Sequence, residues 1–365
     1  LSSAPGVEEF TAGLRVGRGT FGRELSSPEV SARVVPPGSA ITIDGDAPAP
    51  APPSEERELN VGEVPPEHRE AIAPPAGAQA EKALAEITPP PESGPGSVEE
   101  LSTDTLEIPL VHVPAGAFPF GLADGEVRRV GRPFLMGKTE VTYALWREVH
   151  SWAENAGYRI EDEGAVHPEV SPGSDLENYP VAEISWWSAV AWTNALTQYI
   201  NAKNGESLEP VYYMDRDFTR PVRSSASVGG ATGSEAPYVK EGATGFRLPT
   251  SEEWELAARW AGEEPLGEQF SLSEESGPYW NPGRTVSGAT ESVEQDEEAS
   301  IFAVFGGGRP EPVASRQPNA LGIFDMSGNV AEMCYDWRPF MVGKRRVRRG
   351  GSYASELQEI YIGKM

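Results

Sequence analysis

Proline and aromatic residues are so unevenly placed along this 365-residue chain that no single kind of folding can run its whole length. The first hundred residues hold 16 of the 34 prolines, no tryptophan or tyrosine, and two aromatics, Phe10 and Phe21. Stretches such as "DAPAPAPPSEE" (46–56) and "ITPPPESGPGS" (87–97) read as extended, polyproline-like and solvated. They carry too little apolar surface to offset the entropy of ordering. Two islands stand out within them. "SARVVPPGSAITIDGD" (31–46) alternates apolar and polar residues around a Pro-Gly turn and predicts a small hairpin, and "AQAEKALAEI" (78–87) predicts a short helix. The expected organisation is a Pro-rich extended arm or linker over 1–104, followed by a folded domain over 105–365.

Charge and cysteine content exclude several functions. A net charge of −26 and a pI near 4.6 oppose wrapping nucleic acid or lying on anionic lipid, since both require a positive surface. The single cysteine, Cys334, rules out an internal disulfide framework and a cysteine-rich zinc site. No apolar run reaches the 18 or more residues of a membrane-spanning helix. Because the first residue is Leu1, removal of an export signal is expected, with the protein placed in the bacterial periplasm or at the cell surface.

From about residue 105 the composition becomes that of a folded domain. "LEIPLVHVPAGAFPFG" (106–121) predicts a strand, a turn at Pro114–Gly116 and a second short strand, and "PFLMGKTEVT" (133–142) predicts another. Thr142 is placed to cap a helix with Leu145, Val149 and Trp152 at helical spacing. Ser185 caps a second, in which Ala189, Trp192 and Leu196 share a face and Gly205 marks the end. Thr250 and Glu253 form a capping box for a third. Trp146, Trp186, Trp187, Trp192 and Trp254 fall at helix positions and read as core. Ten carboxylates against Arg284 in 263–298 read as a surface insertion. Three helices among long loops make an irregular α+β domain.

The motifs "VPAGAFPFG", "KTEVTYALW", "YPVAEISWWSAVAWTNAL", "GFRLPTSEEWELAAR", "PNALGIFDMSGNVAEMCYDW" and "RVRRGGSY" occur in this order. In wording and order they resemble the formylglycine-generating enzyme / sulfatase-modifying factor family over roughly residues 105–353. The resemblance implies a C-type-lectin-like fold of short sheets, flanking helices and loops. It also implies a domain that runs on past "GGSY" to a closing strand, so this domain is expected to be truncated at its C-terminus. The family's enzymes oxidise a cysteine of a sulfatase to formylglycine with copper(I) held by two thiolates. Those thiolates lie two residues after "GGSY" and five residues further on, which here are Ser355 and Ile360. Serine is a poor copper(I) ligand and isoleucine is none, so no copper is expected and no catalytic residue is assigned. The family's non-haem iron branch needs a histidine-rich domain, whereas residues 1–100 offer only His68.

The resemblance further implies a structural calcium ion, held by Asp325, the carbonyls of Gly328 and Val330, and Glu332. A tight turn that gathers carboxylates and carbonyls suits such a hard cation. The alternative is that Asp325 caps the turn and Glu332 pairs with an arginine of 345–349. Asn281 is a candidate for a second cation site. Cys334 is expected to be buried and inert, and "KRRVRRGG" (344–351) to be a strand whose arginines pair with acidic neighbours rather than with nucleic acid.

The leading functional expectation is a non-enzymatic, exported binding or structural/assembly protein. Its partner would be a protein or a second copy, met through the N-terminal arm and the C-terminal edge. Two alternatives remain open: a copper-dependent formylglycine-generating oxidase (or another enzyme in the same cleft), and a variable ligand-binding protein of the diversity-generating-retroelement type.

Overall fold

Three capped helices supply the longest regular elements. Thr142 accepts from Leu145 N to start α1 (Tyr143–Asn155), and Ser185 accepts from Ser188 N to start α2 (Trp186–Asn204), which ends at left-handed Gly205. α3 (Ser251–Arg259) opens with the complete Thr250–Glu253 capping box, as its sequence predicts. In α2 burial spreads beyond the expected face to most of the helix, including Val190, Ala191, Ala195 and Tyr199. It is a core helix, not an amphipathic cover. Trp146, Trp192 and Trp254 are fully buried, while Trp186 and Trp187 stay half-buried at the start of α2.

The computed structural model describes residues 12–19, 94–168, 170, 175–226, 236–264, 267–273, 277–291, 296–343 and 345–365. The hairpin expected at 31–46 and the helix expected at 78–87 lie outside them. The strands are short: β1 (Ala12–Gly13), β2 (Gly17–Arg18), β3 (Val98–Ser102), β4 (Glu107–Val113), β5 (Gly116–Phe120), β6 (Glu126–Val130), β7 (Phe134–Gly137), β8 (Tyr212–Tyr213), β9 (Tyr238–Val239) and β10 (Phe246–Arg247). After α3 come β11 (Trp260–Gly262), β12 (Phe270–Ser271), β13 (Tyr279–Trp280), a one-turn helix α4 (Asp296–Ala299), β14 (Ala331–Trp337) and β15 (Arg346–Arg349). They form a five-stranded sheet ordered β10-β2-β7-β4-β3, two three-stranded sheets ordered β1-β14-β15 and β11-β13-β12, and two hairpins, β5-β6 and β8-β9. All pairings are antiparallel except β1 with β14. This is an irregular α+β, C-type-lectin-like fold.

The boundary at residue 104 is corrected at both ends of the arm. Residues 12–18 and 94–104 belong to the same compact unit as the rest of the described chain. β1 lies parallel to β14, with Gly13 opposite Glu332, and β2 lies between β7 and β10. Leu14, Arg15 and Val16, between them, are buried to 2% exposure or less. Gly13 is required there, because a Cβ would come within 2.4 Å of Val330 Cγ2. Two-residue strands show no alternation, which hides this segment from a reading by periodicity.

The acidic stretch 263–298 is also more than a surface insertion. Its Trp280, Thr285 and Val286 are buried, and Trp280 packs against Trp260 and Phe118. Among the described residues no helix is long and apolar enough to cross a membrane.

Four arginines (Arg15, Arg247, Arg259 and Arg349) are among the largest fully buried side chains. Each meets a carboxylate: Glu332, Glu253, Glu255 with Asp124, and Glu255 respectively. Each also donates to backbone carbonyls at strand ends or in loops, for example Gly137 O, Leu248 O, Asn281 O and Lys364 O. A domain with little sheet leaves many buried carbonyls without a ladder partner. A planar five-donor group neutralised by a carboxylate satisfies several of them at once.

Candidate functional site

The Gly328 turn joins the loop before β14 to the strand itself. Gly328 takes a positive φ of 82°, and a Cβ there would meet Val304 O at 2.2 Å, so only glycine fits. Gly328 N donates to Gly350 O, Asn329 N to Val304 O, and Tyr353 N to Asn329 O. The turn is therefore clamped directly onto "GGSY". Glu140, from the loop before α1, accepts from Asn329 Nδ2 at 2.7 Å and from Val330 N at 3.0 Å.

Arg15 occupies the centre of this arrangement. Its Nε donates to both oxygens of Glu332 at 2.8 Å, and its Nη2 lies 2.7 Å from Glu332 Oε1. Nη1 donates to Gly137 O and Nη2 to Phe324 O. Glu332 Oε2 also accepts from Trp254 Nε1 at 2.8 Å. Burial alone pulls the guanidinium towards discharge, but Glu332 beside it more than restores its charge. Asp325 stands at φ 57° and accepts from Ala314 N at 2.8 Å. Burial pushes its carboxyl up to about 6, and burial with Asp325 and Glu332 nearby drives Glu140 well above the carboxylate range.

These contacts involve the four residues expected to hold calcium, Asp325, Gly328, Val330 and Glu332. All four do converge on one turn. Glu332, however, has its lone-pair directions taken by Arg15 and Trp254, and a positive charge already sits against it. As arranged, the residues do not fit a calcium ion shared by Asp325 and Glu332. Among the described residues no group of three or more His, Cys, Asp or Glu side chains is placed to hold a metal ion. The alternative pairing of Glu332 with an arginine of 345–349 is corrected, since its partner is Arg15. Asn281 Oδ1 accepts from Gln269 Nε2 and its carbonyl accepts from Arg259, so that side chain is engaged in packing.

At the two positions matched to the thiolates, Ser355 accepts from Ser352 N through its hydroxyl. Ile360 is fully buried among Val286, Ala289, Ala303 and Leu357. Among the described residues no base is hydrogen-bonded to Ser355. His167, remote in sequence, packs edge-on against Tyr353. Cys334 is fully buried on β14, and burial pushes its thiol well above the ordinary range.

The basic run forms β15, as expected, but only part of it pairs with carboxylates. Arg349 pairs with Glu255, whereas Arg346 lies between the Trp186 and Trp337 rings, with its guanidinium carbon 3.6 and 3.5 Å from their centroids. Lying against indole faces substitutes for an anion in holding a guanidinium.

The profile of the sulfatase-modifying factor enzyme 1-like domain matches residues 98–364. The chain belongs to this family. It is 28% identical over 273 residues to the chaperone protein LppX of Paenibacillus barcinonensis, covering 71% of this chain and 83% of that protein. To the formylglycine-generating enzyme of Thermomonospora curvata it is 26% identical over 276 residues, covering 67% and 82%. Among solved structures, Treponema denticola variable protein 1 superposes with a TM-score of 0.51 at 25% identity, covering 73% of this chain and 91% of that one. CarF superposes with a TM-score of 0.51 at 29% identity, covering 69% and 90%.

Proposed function

We propose that this chain is a non-enzymatic, exported binding or assembly protein built on a formylglycine-generating-enzyme-like domain. The observation that carries this reading is the buried apolar Ile360 beside a Ser355 bound to backbone. Neither side chain offers copper(I) a thiolate or a substrate an activated nucleophile. The one thiol of the chain, Cys334, is buried, so an oxidising compartment has nothing exposed to alter. A relative named as a chaperone and a structural neighbour named as a variable protein support binding over catalysis. The fold shared with that variable protein at 25% identity also keeps a variable ligand-binding role within the same reading. In this reading the partner would be met at the C-terminal edge, where β15 lies last in the order β1-β14-β15 among the described residues.

The test is oxygen consumption and aldehyde formation on a cysteine-containing sulfatase peptide, with copper(I)-loaded protein. No turnover above a heat-inactivated control is expected, and copper-dependent turnover would overturn the reading in favour of an oxidase. Fractionation of cells producing the native gene product tests export, and solution mass with and without residues 1–11 tests whether the extreme N-terminus mediates self-association.

A further inference from the structure

A cavity of about 440 Å³ opens between the start of α2 and the β14–β15 hairpin. Its size is that of a ligand pocket, not a packing defect. Arg338, Arg345, Arg346 and Arg348 line it, together with the apolar faces of Trp186 and Met333, and no Asp or Glu side chain does. On a chain of net charge −26 this concentration of guanidinium is the exception to the surface around it.

Among the described residues Arg338, Arg345 and Arg346 have no acidic side chain as ion-pair partner, and Arg338 instead donates to Met365 O. Arg346 is fixed flat between two indoles and donates Nη1 to Tyr335 O, while its buried Nη2 has no hydrogen-bond partner. Burial lowers its pKa to about 10, which still leaves it charged at neutral pH. Asp336, one strand position away, is the opposing charge nearby, and its Oδ2 accepts from Ser251 N.

The hairpin tip adds a second, independent feature. Phe340 is fully exposed and Val342 is 72% exposed, with Met341 between them. Phe340 has a left-handed backbone (φ 61°), a conformation that a bulky residue rarely adopts. These consecutive exposed apolar residues lie between Arg338 and Arg345, which both line the cavity and hydrogen-bond Met341 through their backbones. Such a patch beside positive charge suits an interaction surface, in which aromatic and arginine anchors carry most of the energy.

We propose that this pocket and its hairpin tip bind an acidic, partly apolar peptide segment of a partner protein. Carboxylates would meet the arginine forks, and an apolar side chain would lie on Phe340, Met341 and Val342. The bidentate match of guanidinium to carboxylate and the concave shape favour a peptide over a flat lipid surface. This names the partner chemistry of the binding function proposed above and rests on it.

The test is fluorescence anisotropy of a fluorescein-labelled peptide of alternating glutamate and glycine with one central leucine, titrated with the full chain. Saturable, salt-sensitive binding is expected. It should weaken at least about tenfold in Arg345→Glu and in Phe340→Ser, both exposed changes that leave the melting temperature unaltered. The glutamine analogue of the peptide should not bind. Equal binding of the glutamine analogue, no effect of either variant, or binding only to heparin fragments or phosphatidylserine vesicles would overturn the proposal. Copper-dependent turnover in the oxidation assay would remove the non-enzymatic reading without touching this binding result. Absence of both peptide binding and turnover would sink the pocket proposal alone.

Discussion

Replacing Arg15 with methionine keeps the side chain unbranched and apolar along its stem but removes the charge and every donor. Glu332, fully buried, then loses its counter-charge and keeps only the Trp254 indole N–H as a donor to its side chain, while Gly137 O and Phe324 O lose theirs. Breaking a buried pair by removing one partner costs about 3–5 kcal/mol, because the other charge stays buried and uncompensated. Total stabilities run to about 5–15 kcal/mol, so this is a large fraction of the whole. At about 2–4 °C per kcal/mol, the melting temperature of Arg15→Met should fall by roughly 6–20 °C. Chemical denaturation gives the free energy, and calorimetry with added calcium or chelator gives the second readout. The double variant Arg15→Met/Glu332→Gln should cost less than the sum of the two single changes, since glutamine removes the orphaned charge and still accepts from Trp254. Two results would refute the reasoning. One is an Arg15→Met loss within about 0.5 kcal/mol, the range of an ordinary surface change. The other is a wild-type melting temperature that rises with calcium and drops with chelator, which would put a cation where the guanidinium lies.

Two further outcomes follow from the same region. Asp325 has a folded-state pKa of about 6 against an ordinary 3.8, so its protonation favours the folded state below that ordinary value, and the contribution is lost as pH rises through about 6. Between about pH 4 and 7, Asp325→Asn should therefore gain on wild type by about 3 kcal/mol in denaturant midpoints, and a gap that does not change with pH would contradict this. Cys334 should resist Ellman's reagent in the native protein and react fully in denaturant, so rapid native labelling would contradict its burial and raised pKa.

Much of the fold was legible because its signals are local. The caps at Thr142, Ser185 and Thr250 act on residues three positions away, and Gly205 ends α2 through its own backbone freedom. The turn at Gly328 was legible for the same reason. Its occupant was not: Arg15 and Glu332 are 317 positions apart, and nothing near Arg15 in sequence marks it as a core residue. The two-residue strands β1, β2, β8–β10, β12 and β13 were invisible as well, because alternation needs more residues than they contain.

The sequence by itself determined the three helices, the family and its α+β class, the glycine turn, and the absence of thiols at positions 355 and 360. Each depends on residue identity or on short-range spacing. Tertiary structure alone decided that an N-terminal arginine supplies the charge beside Glu332, and that Arg346 lies between two indoles instead of against a carboxylate. Those outcomes depend on which distant loops close on one another, and a buried charge takes whichever partner the packing brings within reach.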